Sequence, residues 1–259
     1  MSLVSLNCGS IRADEQFLTA LVALKLDTMS GIFASSGKGY QRTHAGHDNF
    51  HVVEEIDGVG YDLYLKRHRN FKLKEALKLL AARSPFVTAG RREWENILAL
   101  EGLGIHTMRP VAFGEKKIGC FELRSFVIAE KIPRAQPLDD YLKSRCTGTL
   151  EPAALREKRA LLWDLGDMAR RLHAAGLTHM DFYANHVFVR ETQTGEKVLH
   201  LIDLQRLAKR WLFARRWKVK DLAALIYSLR DLALPRTDFA RIFTAYSDGT
   251  HSTRDHKLI

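Results

Sequence analysis

The apolar and polar residues follow two different periods along the chain, and the change falls near residue 132. Before it, short segments with alternating apolar and polar residues, separated by turns that contain glycine, predict strands of an antiparallel sheet. The five predicted strands cover residues 39–43, 50–56, 61–68, 108–116 and 121–132. A helix at residues 90–102 separates the third strand from the fourth. Helices are also predicted at residues 12–28 and 70–82.

After residue 132 the apolar residues recur with the period of a helix. Helices are predicted at residues 138–144, 152–175 and 221–234, followed by a last helix that ends near Tyr246. One hairpin interrupts them, with strands at residues 187–189 and 198–202 and a turn at residues 191–196. The predicted fold class is therefore α+β within one domain. A five-stranded sheet forms an N-lobe of residues 1–132, and a mainly helical C-lobe covers residues 133–259.

Composition limits the kind of protein and the kind of partner. The chain has 259 residues, a net charge of +10 and three cysteines without C-x-x-C spacing, Cys8, Cys120 and Cys146. Such cysteines are typical of free thiols in a reducing compartment. No signal peptide and no apolar run of membrane-spanning length is evident, so we expect a cytoplasmic protein. The excess of basic residues favours an anionic partner, either nucleotide phosphates, nucleic acid or an acidic membrane surface.

The hairpin carries two carboxylates in an order that suggests phosphate transfer. Asp181 follows His179 and precedes the first strand, while Asp203 ends the second strand. One carboxylate can accept a proton and the other can hold a metal ion, and His179 can support the loop. An H-x-D loop followed by a strand-end Asp is the arrangement found in eukaryotic-type kinases. The sequence therefore predicts a two-lobed protein-kinase-like fold.

The N-lobe supplies the cation and the acid that such a fold needs. Lys66 lies on the third strand, on the face opposite Leu65, where its ammonium can reach nucleotide phosphates. Glu93 and Glu95 both lie in the first turns of the following helix, which corresponds to the αC helix of kinases. Glu93 is the favoured partner of Lys66 because Ile97 lies four residues later on the same inward stripe. Glu95 remains the alternative.

The nucleotide base and the glycine loop have weaker candidates. The strand at residues 121–132 runs directly into Pro133, as the hinge of a two-lobed kinase would. The backbone of Glu130 and Ile132 would then offer a carbonyl and an N–H group to adenine. Gly46, in the turn after the first strand, is the candidate for the loop that covers the phosphates.

The second metal position is open between two residues. Kinases place an Asn five residues after the catalytic Asp, but His186 occupies that position here and Asn185 precedes it. An imidazole nitrogen can bind a divalent ion, although Mg²⁺ prefers oxygen ligands. Either Asn185 is shifted into the site or His186 serves there.

Three segments resemble the bacterial lipopolysaccharide core kinases, a family that phosphorylates heptose or 3-deoxy-D-manno-octulosonic acid (Kdo). They are THMDFYANHVFV (residues 178–189), LIDLQR (residues 201–206) and RRWKVKDLAALIYSL (residues 215–229). The resemblance covers about residues 50–232. It implies ATP and Mg²⁺ as cofactors, a lipid-linked core sugar as acceptor and a cytoplasmic enzyme at the inner membrane. The family also has a His at the second metal position, which favours His186 over Asn185.

The connection after Asp203 points independently to a small or anionic acceptor. Asp203 and Asp221 are 18 positions apart, which leaves little room for an activation loop and a peptide platform. Asp221, predicted at the start of the next helix, is the candidate tether of the catalytic loop. The basic residues Arg210, Arg215, Arg216 and Lys218 alternate with aromatic residues and form the candidate acceptor or membrane patch.

Other functions remain as alternatives. A phosphotransferase of the aminoglycoside or choline type would need an acidic acceptor pocket, since these acceptors are cations. An atypical protein kinase would need a peptide groove. A pseudokinase without activity would fit the weak glycine loop and the unusual His186. No nucleic acid partner is expected.

Overall fold

The computed structural model describes residues 2–35, 42–44, 47–69, 87–118, 121–146, 148–232 and 234–247. The chain forms two compact units. The first contains Met1–Ile97 and Met108–Lys131, and the second contains Leu98–Thr107 and Ile132–Ile259.

An antiparallel sheet of seven strands forms the first unit. The strands are β1 (Leu3–Leu6), β2 (Ile11–Asp14), β3 (Arg42–His44), β4 (His47–Ile56), β5 (Val59–Arg69), β6 (Arg109–Ile118) and β7 (Phe121–Glu130). Their order across the sheet is β1-β2-β6-β7-β5-β4-β3. Helices α1 (Leu18–Ala23) and α2 (Met29–Ala34) precede β3, and α3 (Ala89–Gly102) precedes β6.

The core of the first unit lies on one face of this sheet. Ile11, Leu63, Leu65 and Ile128 of the strands are fully buried with Leu21 of α1. This face is apolar because apolar and polar residues alternate along the strands, and successive residues of a strand point to opposite sides of the sheet. Burial of each large aliphatic side chain contributes about 1.5–3 kcal/mol, so this face is the main stabilising contact of the unit.

Two predictions for the first unit are wrong in detail. The sheet has seven strands, because β1 and β2 add to the five predicted ones at the edge formed by β6. Residues 12–28 do not form one helix, since β2, a 3₁₀ turn and the six-residue α1 replace it. Four-residue strands are too short to show a period, and the apolar spacing after Phe17 resembled a longer helix. The helix predicted at residues 70–82 lies outside the described residues.

In the described residues from 132 onwards, the second unit contains four α-helices and two small sheets. The helices are α4 (Leu138–Arg145), α5 (Pro152–Ala174), α6 (Ala214–Leu229) and α7 (Arg236–Tyr246). The strands are β8 (Ala135–Pro137), β9 (Leu177–Thr178), β10 (Val187–Glu191), β11 (Lys197–Leu201) and β12 (Ala208–Lys209). The sheets have the orders β11-β10-β8 and β12-β9.

Helices α5 and α7 make a close contact that depends on a glycine. A Cβ atom on Gly166 would lie 2.2 Å from the backbone oxygen of Ile242, so no larger residue fits there. A buried ion pair joins the same helices, with Lys158 Nζ 2.8 Å from Asp238 Oδ2. The long helix α5 therefore has a fixed position before the chain enters β9.

The hairpin of β10 and β11 is present as predicted, with Gly195 at φ +84° in its turn. The start of the next helix is predicted wrongly, because α6 begins at Ala214 and not at Asp221. Residues 214–220 lack a clear apolar stripe, and the residue before them, Phe213, makes no side-chain cap. Among the described residues, every helix is too short or too polar to cross a lipid bilayer.

Candidate active site

Lys66 and Glu93 form an ion pair inside the first unit. Lys66 Nζ donates to Glu93 Oε1 at 2.6 Å, and the Glu93 side chain is 1% exposed. Pairing of β5 with both β4 and β7 fixes the backbone of Lys66. Glu95, the alternative partner, instead accepts a hydrogen bond from Arg91 at 2.7 Å on the exposed side of α3.

The start of α3 explains why Glu93 reaches Lys66. The hydroxyl of Thr88 accepts a hydrogen bond from the Arg91 backbone N–H, which caps the helix. A Cβ atom on Gly90 would lie 2.4 Å from the carbonyl oxygen of Phe126, so only glycine allows α3 to lie this close to β7. This close approach brings the N-terminal part of α3, including Glu93, to the sheet.

Three further residues were predicted to bind ATP, two of them at the base and one in the glycine loop. Glu130 is the last residue of β7 and lies opposite Leu63 and Arg109 in the neighbouring strands. Ile132 is buried and is the first residue of the second unit after the sheet. Gly46 lies outside the described residues. The roles proposed for these three residues stay predictions.

Asp221 holds the H-x-D loop of residues 179–181, the candidate catalytic loop, by its backbone. Its carboxylate accepts hydrogen bonds from the N–H groups of His179 at 2.6 Å and Met180 at 2.9 Å. Met180 has φ +72°, a left-handed conformation that costs a non-glycine residue about 1–3 kcal/mol. The two hydrogen bonds that Asp221 accepts, with its side chain only 1% exposed, offset this strain and hold the backbone immediately before Asp181.

Two further side chains support this tether. His173 of α5 donates from Nε2 to the Asp221 carboxylate, 3.2 Å away, and its Nδ1 forms a hydrogen bond with the Tyr246 hydroxyl at 3.0 Å. Ser228 of α6 accepts a hydrogen bond from the backbone N–H of Ala184 at 2.9 Å. Helix α6 therefore holds the loop on both sides of Asp181. Sequence reasoning did not identify His173 or Ser228.

His179 lies beneath the loop as a buried neutral group. Its Nε2 donates to the backbone oxygen of Ile202 at 2.9 Å, which links the loop to the residue before Asp203. Burial lowers the pKa of His179, because a charged imidazolium would be removed from water. The supporting role that the sequence predicts for His179 is consistent with this contact.

Arg206 binds the carboxylate of Asp181. Its Nη1 donates to Asp181 Oδ1 at 2.5 Å, and the Asp181 side chain is 22% exposed. No site role was assigned to Arg206 from the sequence. Arg206 is the first basic residue after Asp203, but nothing in its local sequence indicates a contact with Asp181.

His186 and Asp203 face one another at the other end of the loop. His186 Nδ1 donates to the Asp181 backbone oxygen at 2.8 Å, so in the neutral imidazole Nε2 carries the lone pair. That Nε2 lies 3.9 Å from Asp203 Oδ2. Asp203 has φ +58°, which turns the chain sharply after β11. Asn185 is exposed, and no contact of its side chain with Asp203 is seen in the described part of the chain.

The basic patch lies at the start of α6 and just before it. Arg210, Arg215 and Arg216 are exposed, and Lys218 is half-buried. The aromatic residues between them differ in exposure. Trp217 is half-buried, with Arg210 and Lys220 5.0 Å and 4.9 Å from its ring centre, whereas Trp211 is 84% exposed.

The structure brings the predicted site residues into two groups. Lys66 and Glu93 form one group in the first unit. His179, Asp181, His186, Asp203 and Asp221 form the other in the second unit, where hydrogen bonds and short contacts connect them. A strand Lys paired with a helix Glu, and a tethered H-x-D loop before a strand-end Asp, are the parts of a protein-kinase-like phosphotransferase.

Comparison with known proteins identifies the family. Residues 42–246 match the model of the lipopolysaccharide kinase (Kdo/WaaP) family. The chain belongs to this family, which confirms the resemblance predicted from the sequence.

Two related proteins are both described as lipopolysaccharide core heptose(I) kinase WaaP. The one from Escherichia coli (strain K12) is 35% identical over 196 residues, which are 74% of this chain and 72% of that protein. The one from Pseudomonas aeruginosa is 32% identical over 224 residues, 85% of this chain and 80% of that protein. A solved structure, WaaP in complex with acyl carrier protein, superposes with a TM-score of 0.67 at 25% identity and covers 100% of this chain and 98% of that one.

Proposed function

We propose that the protein transfers the γ-phosphate of ATP to a heptose hydroxyl of the lipopolysaccharide inner core. The observation that carries this proposal is the Asp221-tethered catalytic loop, in a chain that matches the family model over residues 42–246. Heptose is favoured over Kdo because both relatives described above are named heptose(I) kinases. Kdo remains the second candidate, since the family name includes it.

Asp181 acts as the proton acceptor in this proposal. As the acceptor oxygen forms its bond to the γ-phosphorus and the bond to ADP breaks, the hydroxyl proton passes to the Asp181 carboxylate. Arg206 is a positioning residue, because its guanidinium holds one carboxylate oxygen and leaves the other for the hydroxyl. Lys66, held by Glu93, binds phosphate oxygens of ATP.

Asp203 and His186 fit a divalent cation. The hydrogen bond from His186 Nδ1 to the Asp181 backbone leaves Nε2 as a possible ligand on the side of the Asp203 carboxylate. Asp203 provides the oxygen ligand that Mg²⁺ prefers, and His186 is favoured over the exposed Asn185 as its neighbour. A bound Mg²⁺ would neutralise negative charge on the phosphates.

The positive charge of the surface near α6 supports lipopolysaccharide as the acceptor. The core of lipopolysaccharide carries anionic groups and is attached to a lipid, so it suits the basic patch of Arg210, Arg215, Arg216 and Lys218, of which the three arginines are exposed. We place the enzyme at the cytoplasmic face of the inner membrane for the same reason. Nucleic acid is not expected as a partner.

The acceptor class is tested by offering several acceptors in parallel. The protein is incubated with labelled ATP and Mg²⁺ and with core lipopolysaccharide that lacks core phosphate, an aminoglycoside or a generic peptide. Label in the lipopolysaccharide alone is the expected result. Transfer to the aminoglycoside or the peptide, with none to lipopolysaccharide, would overturn the proposed function.

A further inference from the structure

Three consecutive large apolar side chains protrude from the second unit. Trp211, Leu212 and Phe213 are 84%, 78% and 77% exposed, the highest values among the large apolar residues that the structure describes. Single exposed apolar residues are common on soluble proteins, but a contiguous exposed group indicates a binding surface. We call residues 211–213 the apolar tip.

Ordered structure on both sides holds the apolar tip in place. Before it, β12 pairs with β9, and the backbone N–H of Arg210 donates to the Gly176 oxygen at 3.2 Å. After it, α6 begins at Ala214, and the Trp217 N–H donates to the Phe213 oxygen at 3.3 Å. Phe213 itself has φ +55°, which is unfavourable for a bulky residue. The exposure therefore belongs to a fixed turn between two anchored elements.

Cations surround the apolar tip and carboxylates are absent from its segment. Lys209 and Arg210 precede it and are exposed. Four more basic residues follow it, Arg215, Arg216, Lys218 and Lys220. Residues 204–220 contain no Asp or Glu. The N-terminus of α6, with its positive helix dipole, lies directly after the tip and adds to this field.

We infer that the apolar tip inserts into the headgroup region of an anionic phospholipid bilayer. Trp and Phe favour the boundary between water and acyl chains, and neighbouring Lys and Arg side chains bind lipid phosphates. A protein partner fits less well, because three side chains present much less area than the roughly 800 Å² per partner that a standard protein interface buries. The inference deepens the proposed function, since a lipid-linked acceptor is presented at a bilayer.

Vesicle binding tests the inference without ATP or acceptor. Wild-type protein is sedimented with vesicles of phosphatidylethanolamine and phosphatidylglycerol, or with vesicles of phosphatidylcholine alone. We expect binding to the anionic vesicles only. The triple variant Trp211→Ala, Leu212→Ser, Phe213→Ser should bind them at least about tenfold more weakly, because the apolar contribution is lost while all the cations remain. Trp163→Ala removes a Trp that is 46% exposed on α5 and serves as the matched control.

Tryptophan fluorescence gives a second readout that separates insertion from charge attraction alone. Anionic vesicles should shift the emission of the wild type and of Trp163→Ala to shorter wavelength, and Trp211→Ala should lose the shift. Thermal unfolding shows that each variant is folded. Equal vesicle binding by the wild type and the triple variant would overturn the inference. So would tip-dependent binding to acyl carrier protein without binding to vesicles.

The outcome is independent of the kinase assay. Failure of phosphate transfer to core lipopolysaccharide would count against the proposed function and leave tip-dependent vesicle binding unchanged. If the triple variant bound vesicles as well as the wild type, the result of the phosphate-transfer assay would be unaffected.

Discussion

At the level of single residues, three side-chain pairs define the candidate site: Lys66 with Glu93, Asp181 with Arg206, and His186 facing Asp203. The first could be predicted, because strand alternation and the helical stripe each determine which face a residue occupies. The contact of Arg206 could not be predicted from local pattern. Its direction depends on the left-handed turn at Asp203, which no period in the sequence indicates.

Glu93→Gln should impair phosphate transfer while Glu95→Gln does not. The ammonium of Lys66 loses its charged partner in the first variant, and misplacement of a phosphate-binding group can cost about 100-fold in rate. Glu95 pairs with Arg91 on the exposed side of the same helix and is a matched control. Steady-state kinetics with ATP as the varied substrate provide the measurement. Equal activity of the two variants would contradict the role of Glu93.

Arg206→Gln should lower kcat by about 10-fold or more with a smaller change in the KM for ATP, because Asp181 loses orientation but the phosphate site is unchanged. Arg206→Lys should restore part of the rate. Arg230 is 55% exposed, close to the 57% of Arg206, so Arg230→Gln is the control. If Arg206 had only a structural role, Arg206→Gln would lower the stability of the protein without lowering kcat more than it changes the KM for ATP.

At the scale of elements, α6 organises the catalytic loop. Asp221 and Ser228, on the same helix, accept backbone hydrogen bonds from His179, Met180 and Ala184. The tether itself could be predicted, since Asp221 is the first acid after Asp203 and precedes an apolar helical segment. Its position well inside α6 could not, because basic residues fill the first two turns and hide the start of the helix.

Asp221→Ala should lower the free energy of unfolding by about 3 kcal/mol or more, because the buried backbone donors of His179 and Met180 and the imidazole of His173 lose their acceptor. Activity should fall further than stability alone explains, since Met180 keeps its strained backbone without support. Asp231→Ala removes an acid that is 82% exposed and is the control. Chemical denaturation measures the difference. A loss no larger than in the control would show that Asp221 is not a tether.

At the scale of the whole molecule, the change of period near residue 132 corresponds to the passage from sheet to helices. The same pattern could not show that residues 98–107 belong with the second unit. Their assignment depends on tertiary contacts, such as the hydrogen bond from the Leu201 N–H to the His106 oxygen at 2.9 Å. The boundary between the two units falls between Ile97 and Leu98, inside α3, and the helical pattern of α3 continues across it without a break.

Acid should destabilise the protein partly through His200. Burial lowers the pKa of His200 from 6.5 to about 4. As the pH falls from 6.5 towards 4, the unfolded state takes up a proton that the folded state does not, so stability is lost over this range. For one proton the slope is at most about 1.4 kcal/mol per pH unit.

The variant His200→Phe should show a smaller decrease in stability between pH 6.5 and about 4. Its stability at about pH 8, where His200 is uncharged in both states, provides the reference for any change in packing. Part of the decrease should remain, because burial lowers the pKa of His179 as well. Identical slopes for the wild type and the variant in pH-dependent denaturation would contradict this contribution.

We propose that the enzyme transfers phosphate to a core heptose and that Asp203 lies in its metal site. The chemical structure of the product tests both parts of this proposal. Lipopolysaccharide without core phosphate is incubated with ATP, Mg²⁺ and either the wild type or Asp203→Asn. Mass spectrometry and phosphorus NMR then locate the new phosphate. We expect a new phosphate on heptose with the wild-type enzyme and no new phosphate with the folded Asp203→Asn variant. Phosphate on another molecule or sugar, or full activity of Asp203→Asn, would contradict it.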